Sequence, residues 1–264
     1  MLHGWMDVSA SFQFVVDELA SSWHILAPDW RGFGLSASGP ADSYWFPDYL
    51  ADLDFLIDAI ETDGGKPAAP IALLGHSMGG NVAMLYAGVR PQRVRALINL
   101  EGFGMRDADP TEAPGRYARW IDELKDPPRL RDYATLADVA ARLLQNNPRL
   151  TPTRAAFLAE HWSRRVKSGR YELAADPAHR IVNPVGYRSA EAAACWAAIA
   201  CPVLWVEGAD SRATAYAGGV DETARRRALV PALELLRVEN AGHMLHHDQP
   251  ARIAAAIESF VPAG

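Results

Sequence analysis

A serine stands between glycines in Gly75-His76-Ser77-Met78-Gly79, with apolar stretches of opposite character on either side. Ile71-Ala72-Leu73-Leu74 leads in and reads as a buried strand, whereas Asn81-Val82-Ala83-Met84-Leu85-Tyr86-Ala87 leads out and reads as a helix. The serine is therefore expected on a sharp strand-to-helix turn. Glycines are needed there because the backbone is strained and the neighbouring elements leave no room for side chains. A serine hydroxyl is a weak nucleophile by itself. It needs an adjacent base, best a histidine from another loop, and that histidine needs a carboxylate to orient it.

Three histidines near the C-terminus are candidates for the base. His243 lies in Asn240-Ala241-Gly242-His243, directly after a predicted strand at Leu233–Glu239, and Gly242 permits a turn that swings it back over the strand ends. His246 and His247 precede Asp248-Gln249-Pro250, which reads as a helix start with Asp248 as N-cap. His243 is the preferred base, and the other two read as packing at the helix entry. Two carboxylates compete to orient it. Asp210 follows the predicted strand Pro202–Val206, and Glu101 follows the predicted strand Val94–Leu100. Both fall at the carboxyl ends of parallel strands, where such sheets place ligands. Asp210 is favoured because its loop is long enough to reach His243 and its short side chain suits a fixed hydrogen bond. Glu101 remains the alternative acid, with a pocket-lining carboxylate or one bonded to loop amides as its other readings.

These residues need elements to carry them. Trp23–Asp29 reads as a short apolar strand ending in the glycine-rich loop Arg31-Gly32-Phe33-Gly34-Leu35-Ser36. A helix-like stretch at Ser11–Leu19 precedes it, and Leu50, Leu53, Ile57 and Ile60 recur at helical spacing after it. Asp63-Gly64-Gly65-Lys66-Pro67 reads as a loop. After Leu100 the composition shifts to Arg, Pro and aromatics. From about Met105 to Tyr187 three helices are expected, at Pro114–Leu124, Leu136–Asn146 and Thr153–Ser168, with no strand between them. Alternation then resumes with helix Ala190–Ile199, strand Pro202–Glu207, helix Glu222–Leu229, strand Leu233–Glu239 and helix Pro250–Val261. The pattern predicts an α/β protein, a mostly parallel sheet with helices on both faces. Residues 1–104 and 188–264 form its core, and 105–187 is a helical cap inserted between the strands ending near Leu100 and starting near Pro202.

Composition narrows the function classes. The chain has 264 residues, of which 49% are hydrophobic and 22% charged, enough for a large core without cross-links. Its two cysteines, Cys195 and Cys201, belong to no metal-type cluster and read as reduced thiols of a cytoplasmic protein. A net charge of -6 gives no reason to expect nucleic acid or an anionic membrane as partner. Neither a membrane span nor a signal peptide is evident in the sequence. Several conspicuous side chains read as structural. Arg31 anchors its loop, His3 organises the loop after it, and His76 packs or bonds to backbone. His76, Trp120 and Trp162 are also the candidates for lining a substrate pocket, with Tyr117 and Tyr133 nearby in the cap.

Together, His3-Gly4, Asp29-Trp30-Arg31-Gly32-Phe33-Gly34-Leu35-Ser36, Gly75-His76-Ser77-Met78-Gly79-Gly80, Asp210 and Gly242-His243 resemble the α/β-hydrolase superfamily, and within it the cap-bearing serine esterases. The stretch His179-Arg180-Ile181-Val182-Asn183-Pro184 is similar to the serine hydrolase-like group. The resemblance spans nearly the whole chain in the family's order. It implies a triad of Ser77, His243 and an acid, and an oxyanion hole formed by the backbone N–H groups of Met78 and Trp5. Serine at the elbow sets the chain apart from the epoxide hydrolases and haloalkane dehalogenases, which carry aspartate there. The expected chemistry is hydrolysis of small carboxylic esters or thioesters through an acyl-enzyme, with no metal or organic cofactor and a small-molecule substrate. Carbon–carbon bond hydrolysis of a diketone-like substrate, or a non-catalytic ligand-binding role, are the alternatives. Members of the family usually carry some tens of residues before the His-Gly loop, so N-terminal strands are expected upstream of Met1.

Overall fold

The computed structural model describes residues 1–39, 41–63 and 69–261. Four parallel strands form the main sheet: β1 (Ile71–His76), β2 (Val94–Leu100), β6 (Val203–Gly208) and β7 (Leu233–Val238), in the order β1-β2-β6-β7. Three short strands between them, β3 (Asp132–Tyr133), β4 (Ser163–Arg165) and β5 (Tyr171–Leu173), make a separate antiparallel sheet. The helices are α1 (Gln13–Val16), α2 (Phe46–Asp63), α3 (Met78–Val89), α4 (Ala113–Lys125), α5 (Leu136–Asn146), α6 (Pro152–Trp162), α7 (Ser189–Ala197), α8 (Val220–Arg227), α9 (Leu245–Asp248) and α10 (Pro250–Phe260).

Burial explains the arrangement. Strands β2 and β6 are apolar along almost their whole length, as expected of strands covered on both faces. One apolar cluster joins Leu53 and Ile57 of α2, Val82 and Met84 of α3 and Trp196 of α7 to Leu97 and Trp205 of the sheet. The other joins Phe12 and Val15 near α1 and Ile253 and Ile257 of α10 to Leu74, Ile98 and Val206. Every residue from Met78 to Ala87 is buried, so α3 is a core helix rather than an amphipathic surface one.

Several expectations change. Trp23–Asp29 forms no strand. A strand needs a ladder on at least one side, and none forms here among the described residues: Met1 donates its terminal amine to Leu26 O at 2.6 Å, whereas Leu2 bridges to Gly75 of β1. The helix expected at Thr153–Ser168 ends at Trp162, and the chain turns into the β4–β5 hairpin. Gly169, at φ +83°, supplies the left-handed residue of that turn, and Val166 N–H donates to Arg170 O at 2.8 Å. The helix-like stretch near the N-terminus is a 3-10 turn at Ser9–Phe12 followed by α1. The loop expected at Asp63–Pro67 lies, beyond Asp63, outside the described residues.

His179 is one of the side chains that fasten the segment between β2 and α7 to the rest. His179 is stacked between Phe33 and Tyr44, with ring centroids 3.7 and 3.8 Å away. Its Nε2 lies 3.1 Å from Arg31 O and its Nδ1 3.2 Å from the Tyr49 hydroxyl, so Nε2–H donates and Nδ1 accepts. Backbone bonds on either side, Gly34 N–H to Ala174 O and Asp176 N–H to Gly32 O, both 2.7 Å, complete the seam.

Close packing at the turn after β1 leads to the first expected outcome. A Cβ on Gly79 would lie 2.1 Å from Leu2 O. Gly79→Ala should therefore lower the unfolding free energy by about 3 kcal/mol, read from the urea midpoint; an unchanged midpoint would show that the first residues do not seat against α3. The second concerns pH. Burial pushes the His179 imidazole down to about 4, against the pull of the Arg31 carbonyl. Between about 4 and the ordinary imidazole value near 6.5 the unfolded chain binds the extra proton, so stability is full above that window and is lost as pH falls through it. Burial pushes His76, His247 and His3 in the same direction. His179→Gln should flatten the dependence of the urea midpoint on pH in this window by on the order of 3 kcal/mol in unfolding free energy. An unaltered slope would count against the role of His179.

Candidate active site

The site lies where β1, β2, β6 and β7 end. Ser77 follows β1 and adopts φ 53°, ψ -113°, a left-handed conformation that a non-glycine residue takes only when its surroundings impose it. They do so from both sides: Ser77 N–H donates to Leu100 O at 2.8 Å, and Ser77 O accepts from Asn81 N–H at 2.9 Å as α3 begins. A Cβ on Gly75 would lie 2.3 Å from Gly79 O, which is why this position, too, has no side chain.

His243 sits in the loop after β7. Its Nε2 lies 3.0 Å from Ser77 Oγ and its Nδ1 3.1 Å from Glu101 Oε2. A carboxylate only accepts, so Nδ1 carries the proton and the Nε2 lone pair faces the serine hydroxyl. The imidazole is about one-third exposed, whereas the Glu101 side chain is fully buried. Glu101 follows β2 and is itself left-handed, at φ 60°. Its Oε1 accepts from Gly208 N–H at 2.7 Å, and its Oε2 also accepts from the Ser211 hydroxyl. Three donors thus fix the carboxylate beneath the histidine. This chain of contacts is the arrangement needed to remove a proton from Ser77 Oγ.

The preference for Asp210 is corrected by this geometry. Its carboxylate is half-exposed and pairs with Arg149 Nη2 at 2.7 Å, away from His243. The turn after β6 closes with Ser211 N–H on Gly208 O, and Asp210 N–H is held by Ala241 O at 2.9 Å, which leaves its short side chain directed outward. Glu101, one strand nearer to Ser77 and one methylene longer, reaches the imidazole instead.

Gly4 passes close to Ser77. A Cβ on Gly4 would lie 3.3 Å from Ser77 Cβ and 3.0 Å from His76 Nδ1. His3 organises this loop while completely buried: its Nε2 accepts from Trp30 N–H at 2.9 Å, and its Nδ1 lies 2.8 Å from Gly4 O. The Trp5 indole is half-exposed and donates to His179 O at 3.2 Å. Met78 opens α3, where N–H groups lack intrahelical partners and the helix dipole favours negative charge.

A profile of the alpha/beta hydrolase fold matches residues 1–250. The chain belongs to the alpha/beta hydrolase fold family. It is 30% identical to a serine hydrolase-like protein of Danio rerio over 175 residues, covering 64% of this chain and 52% of that protein. To a serine hydrolase-like protein of Dictyostelium discoideum it is 26% identical over 220 residues, covering 80% of this chain and 59% of the relative. The chain thus spans between half and three-fifths of the length of these relatives. Among solved structures, a hypothetical protein of Pseudomonas aeruginosa PAO1 superposes with a TM-score of 0.83 at 25% identity, covering 98% of this chain and 88% of that one. Among the described residues, no helix is long and apolar enough to cross a membrane.

Beneath the candidate site of this hydrolase-fold chain lies a polar layer that the sequence showed only in pieces. His76 is buried and its Nε2–H donates to His243 O at 2.8 Å, so it supports the histidine loop from below rather than lining a pocket, which corrects its place among the pocket candidates. Asp7, His76 and His246, all buried, bring potential metal ligands within 4.8 Å of one another. Each residue also makes other contacts: Asp7 Oδ1 accepts from Val8 N–H at 2.9 Å and from the Trp162 indole, and His76 Nε2–H holds the carbonyl of His243, while Asp7 Oδ2, His76 Nδ1 and His246 Nδ1 are buried with no hydrogen-bond partner among the described residues. His246 and His247 both face the Ser11 hydroxyl. Burial opposes charge on Asp7, but the His246 imidazole, 3.9 Å away, and the nearby His247 and His3 outweigh it and hold the carboxyl well below the usual range. Asp248 does not cap α10, whose N-cap is Gln249; it accepts from Gly242 N–H at 2.8 Å and from Asn147 Nδ2 at 2.7 Å, bracing the loop of His243. Trp120, on α4, is half-buried with its indole nitrogen enclosed, while Tyr117 on the same helix is half-exposed. Ser211 and Asn99 were not singled out in the sequence, and Asp248 was read there only as a helix cap. The one available signal was Asn99, a polar residue in an otherwise buried strand.

The competing acids can be separated by the rate at which a fluorophosphonate labels Ser77. Glu101→Gln should slow labelling by roughly 10³–10⁴-fold, because the imidazole loses the partner that fixes its tautomer. Asp210→Asn should leave the rate within a few-fold of wild type. The opposite ranking would return the role to Asp210.

Proposed function

We propose that the chain is a serine hydrolase acting on small carboxylic esters or thioesters through an acyl-enzyme on Ser77. The observation that carries this reading is the continuous line from Glu101 through His243 to Ser77 Oγ, with 3.1 and 3.0 Å between the facing atoms. In the first step His243 Nε2 takes the hydroxyl proton as Ser77 Oγ attacks the carbonyl carbon. Glu101 stabilises the imidazolium that forms. The developing oxyanion is met by the N–H groups of Met78, at the start of α3, and Trp5. Collapse expels the alcohol or thiol, which takes the proton from His243. A water then enters, loses a proton to His243 and attacks the acyl carbon, so that the acid leaves and Ser77 recovers its proton.

The serine hydrolase-like relatives support the assignment at the level of the family, and the substrate class follows from the nucleophile. An oxygen nucleophile with a histidine acid–base suits a carbonyl bearing a leaving group that one proton makes neutral. Residues 105–187 act in this reading as the cap over the strand ends.

The decisive measurement is mass spectrometry after exposure to a fluorophosphonate. Wild type should gain one adduct on Ser77, Ser77→Ala none, and His243→Ala should react about 10²–10⁴-fold more slowly. Absence of an adduct on folded wild-type protein would favour a non-catalytic ligand-binding role. A panel of p-nitrophenyl esters, acyl thioesters and a vinylogous diketone then separates ester and thioester hydrolysis from carbon–carbon bond cleavage.

A further inference from the structure

A cavity of about 280 Å³ opens beside the loop of residues 4–6, between that loop and the segment that follows β2. Its floor is apolar, with Trp5, Leu143 and Trp162 among the residues that form it. Three arginines, Arg131, Arg142 and Arg180, line it, and no Asp or Glu does among the described residues. In a chain with a net charge of -6, an acid-free pocket with three cations runs against the average.

None of the three is paired with a carboxylate among the described residues. Arg131 lies over the Tyr133 ring, 5.4 Å from its centroid, and Arg180 donates to Arg129 O at 3.1 Å. Arg131 and Arg142 also border a shallower depression that contains Asp132 and Asp138. Those acids are engaged elsewhere: Asp132 pairs with Arg170 at 2.6 Å, and Asp138 caps α5 through Thr135. Elsewhere arginine heads do meet carboxylates, as at Arg31–Asp52, Arg93–Asp54 and Arg227–Glu207. Trp5 forms part of this pocket, and the residue before it, Gly4, is the one whose Cβ would stand 3.3 Å from Ser77 Cβ. The cationic pocket therefore adjoins the loop that flanks the nucleophile.

We propose that this pocket takes an anionic group of the substrate, so that the ester or thioester opened at Ser77 carries a carboxylate or phosphate a few bonds from the scissile carbonyl. The inference rests on the serine hydrolase reading above. An apolar floor with guanidinium walls suits a short aliphatic chain ending in an oxyanion, because planar guanidinium donors match carboxylate and phosphate oxygens. The anion can sit on either side of the scissile bond: on the acyl group, as in a dicarboxylic half-ester, or on the leaving group, as in a phosphorylated thiol.

Two matched pairs distinguish these sources. Mono-p-nitrophenyl glutarate is compared with p-nitrophenyl butyrate, and S-butyryl phosphopantetheine with S-butyryl N-acetylcysteamine, on wild type, Arg142→Gln, Arg142→Lys and the Arg131→Gln/Arg180→Gln double variant. Wild type should favour the anionic member of one pair by about tenfold or more in KM, and the preference should shrink as salt is raised. The glutamine variants should lose that preference while hydrolysing the neutral partner at an unchanged rate, and Arg142→Lys should retain part of it. The pair that responds names the side that carries the anion. No anionic preference in wild type, or equal losses on neutral and anionic substrates, would overturn the proposal while leaving the hydrolase reading intact. Failure of Ser77 to react at all would instead remove that reading. Calorimetric titration of Ser77→Ala with glutarate and with phosphopantetheine tests the pocket without turnover: binding of one, weakened about tenfold in Ser77→Ala/Arg142→Gln, is expected, and binding of neither would count against it.

Discussion

Two neighbouring parallel strands each end in a residue forced into the left-handed region, and the site depends on that pairing. Ser77 at φ 53° and Glu101 at φ 60° are not glycines, and each such conformation costs about 1–3 kcal/mol. The sheet holds both. Ser77 N–H is bound by Leu100 O at the end of β2, and Glu101 N–H by Val206 O of β6 at 3.1 Å. The register His76↔Leu100 and Leu100↔Val206 fixes where each strand stops relative to the next. Glu101 gains a further constraint from Asn99, whose buried carboxamide donates to Gly102 O at 2.8 Å and accepts from Gly102 N–H at 3.0 Å. The nucleophile and the carboxylate are therefore placed by backbone ladders, not by flexible side chains. Only His243 arrives on a loop.

That loop is held from beneath. Gly242 N–H rests on Asp248, and the carbonyl of His243 on His76. Around them lie Asp7, Ser11, His246 and His247, a buried polar layer between the strand ends and α1. Burial pushes the imidazoles of His76 and His247 well below their ordinary value, so both are neutral near pH 7 and can act as directional hydrogen-bond partners. A neutral His76 with its Nε2–H committed to His243 O adds no positive charge beside the base. The layer fixes the base without opposing its protonation.

Local pattern carried much of this into the sequence. β2 falls at Val94–Leu100 and α5 at Leu136–Asn146, as read from apolar periodicity alone. The elbow was visible because strand, glycines and helix are contiguous. The acid was not, because its choice depends on three strands at once. Asp210 and Glu101 both stand at strand ends, and the difference lies in where a turn aims a side chain. The turn at Gly208–Ser211 sends Asp210 outward to Arg149, a partner 61 positions away in the chain. Trp23–Asp29 reads as a strand for the same reason in reverse: its composition suits a sheet, but ladder partners are a property of the neighbouring chain and not of the segment. The β4–β5 hairpin was hidden because Trp162–Arg170 continues a helical composition until Gly169 turns it.

The two sides of the nucleophile are thus held by different parts of the molecule. Glu101 and His243 belong to the ends of β2 and β7 and are tied to β6 through Gly208 and Ser211. The loop of His3, Gly4 and Trp5 touches the sheet mainly through Leu2, and its other anchors are Trp30, His179 and, through Asp7, Trp162. Two of those three belong to the segment between β2 and α7. A rearrangement in that segment would therefore be transmitted to the side of Ser77 proposed to receive the oxyanion, while the line from Glu101 to Ser77 Oγ stayed intact. Proton transfer and oxyanion stabilisation can then vary separately. The pocket with three arginines lies on the same side as the loop, so a ligand that ordered its walls would act first on Trp5, the one proposed oxyanion donor that this loop carries.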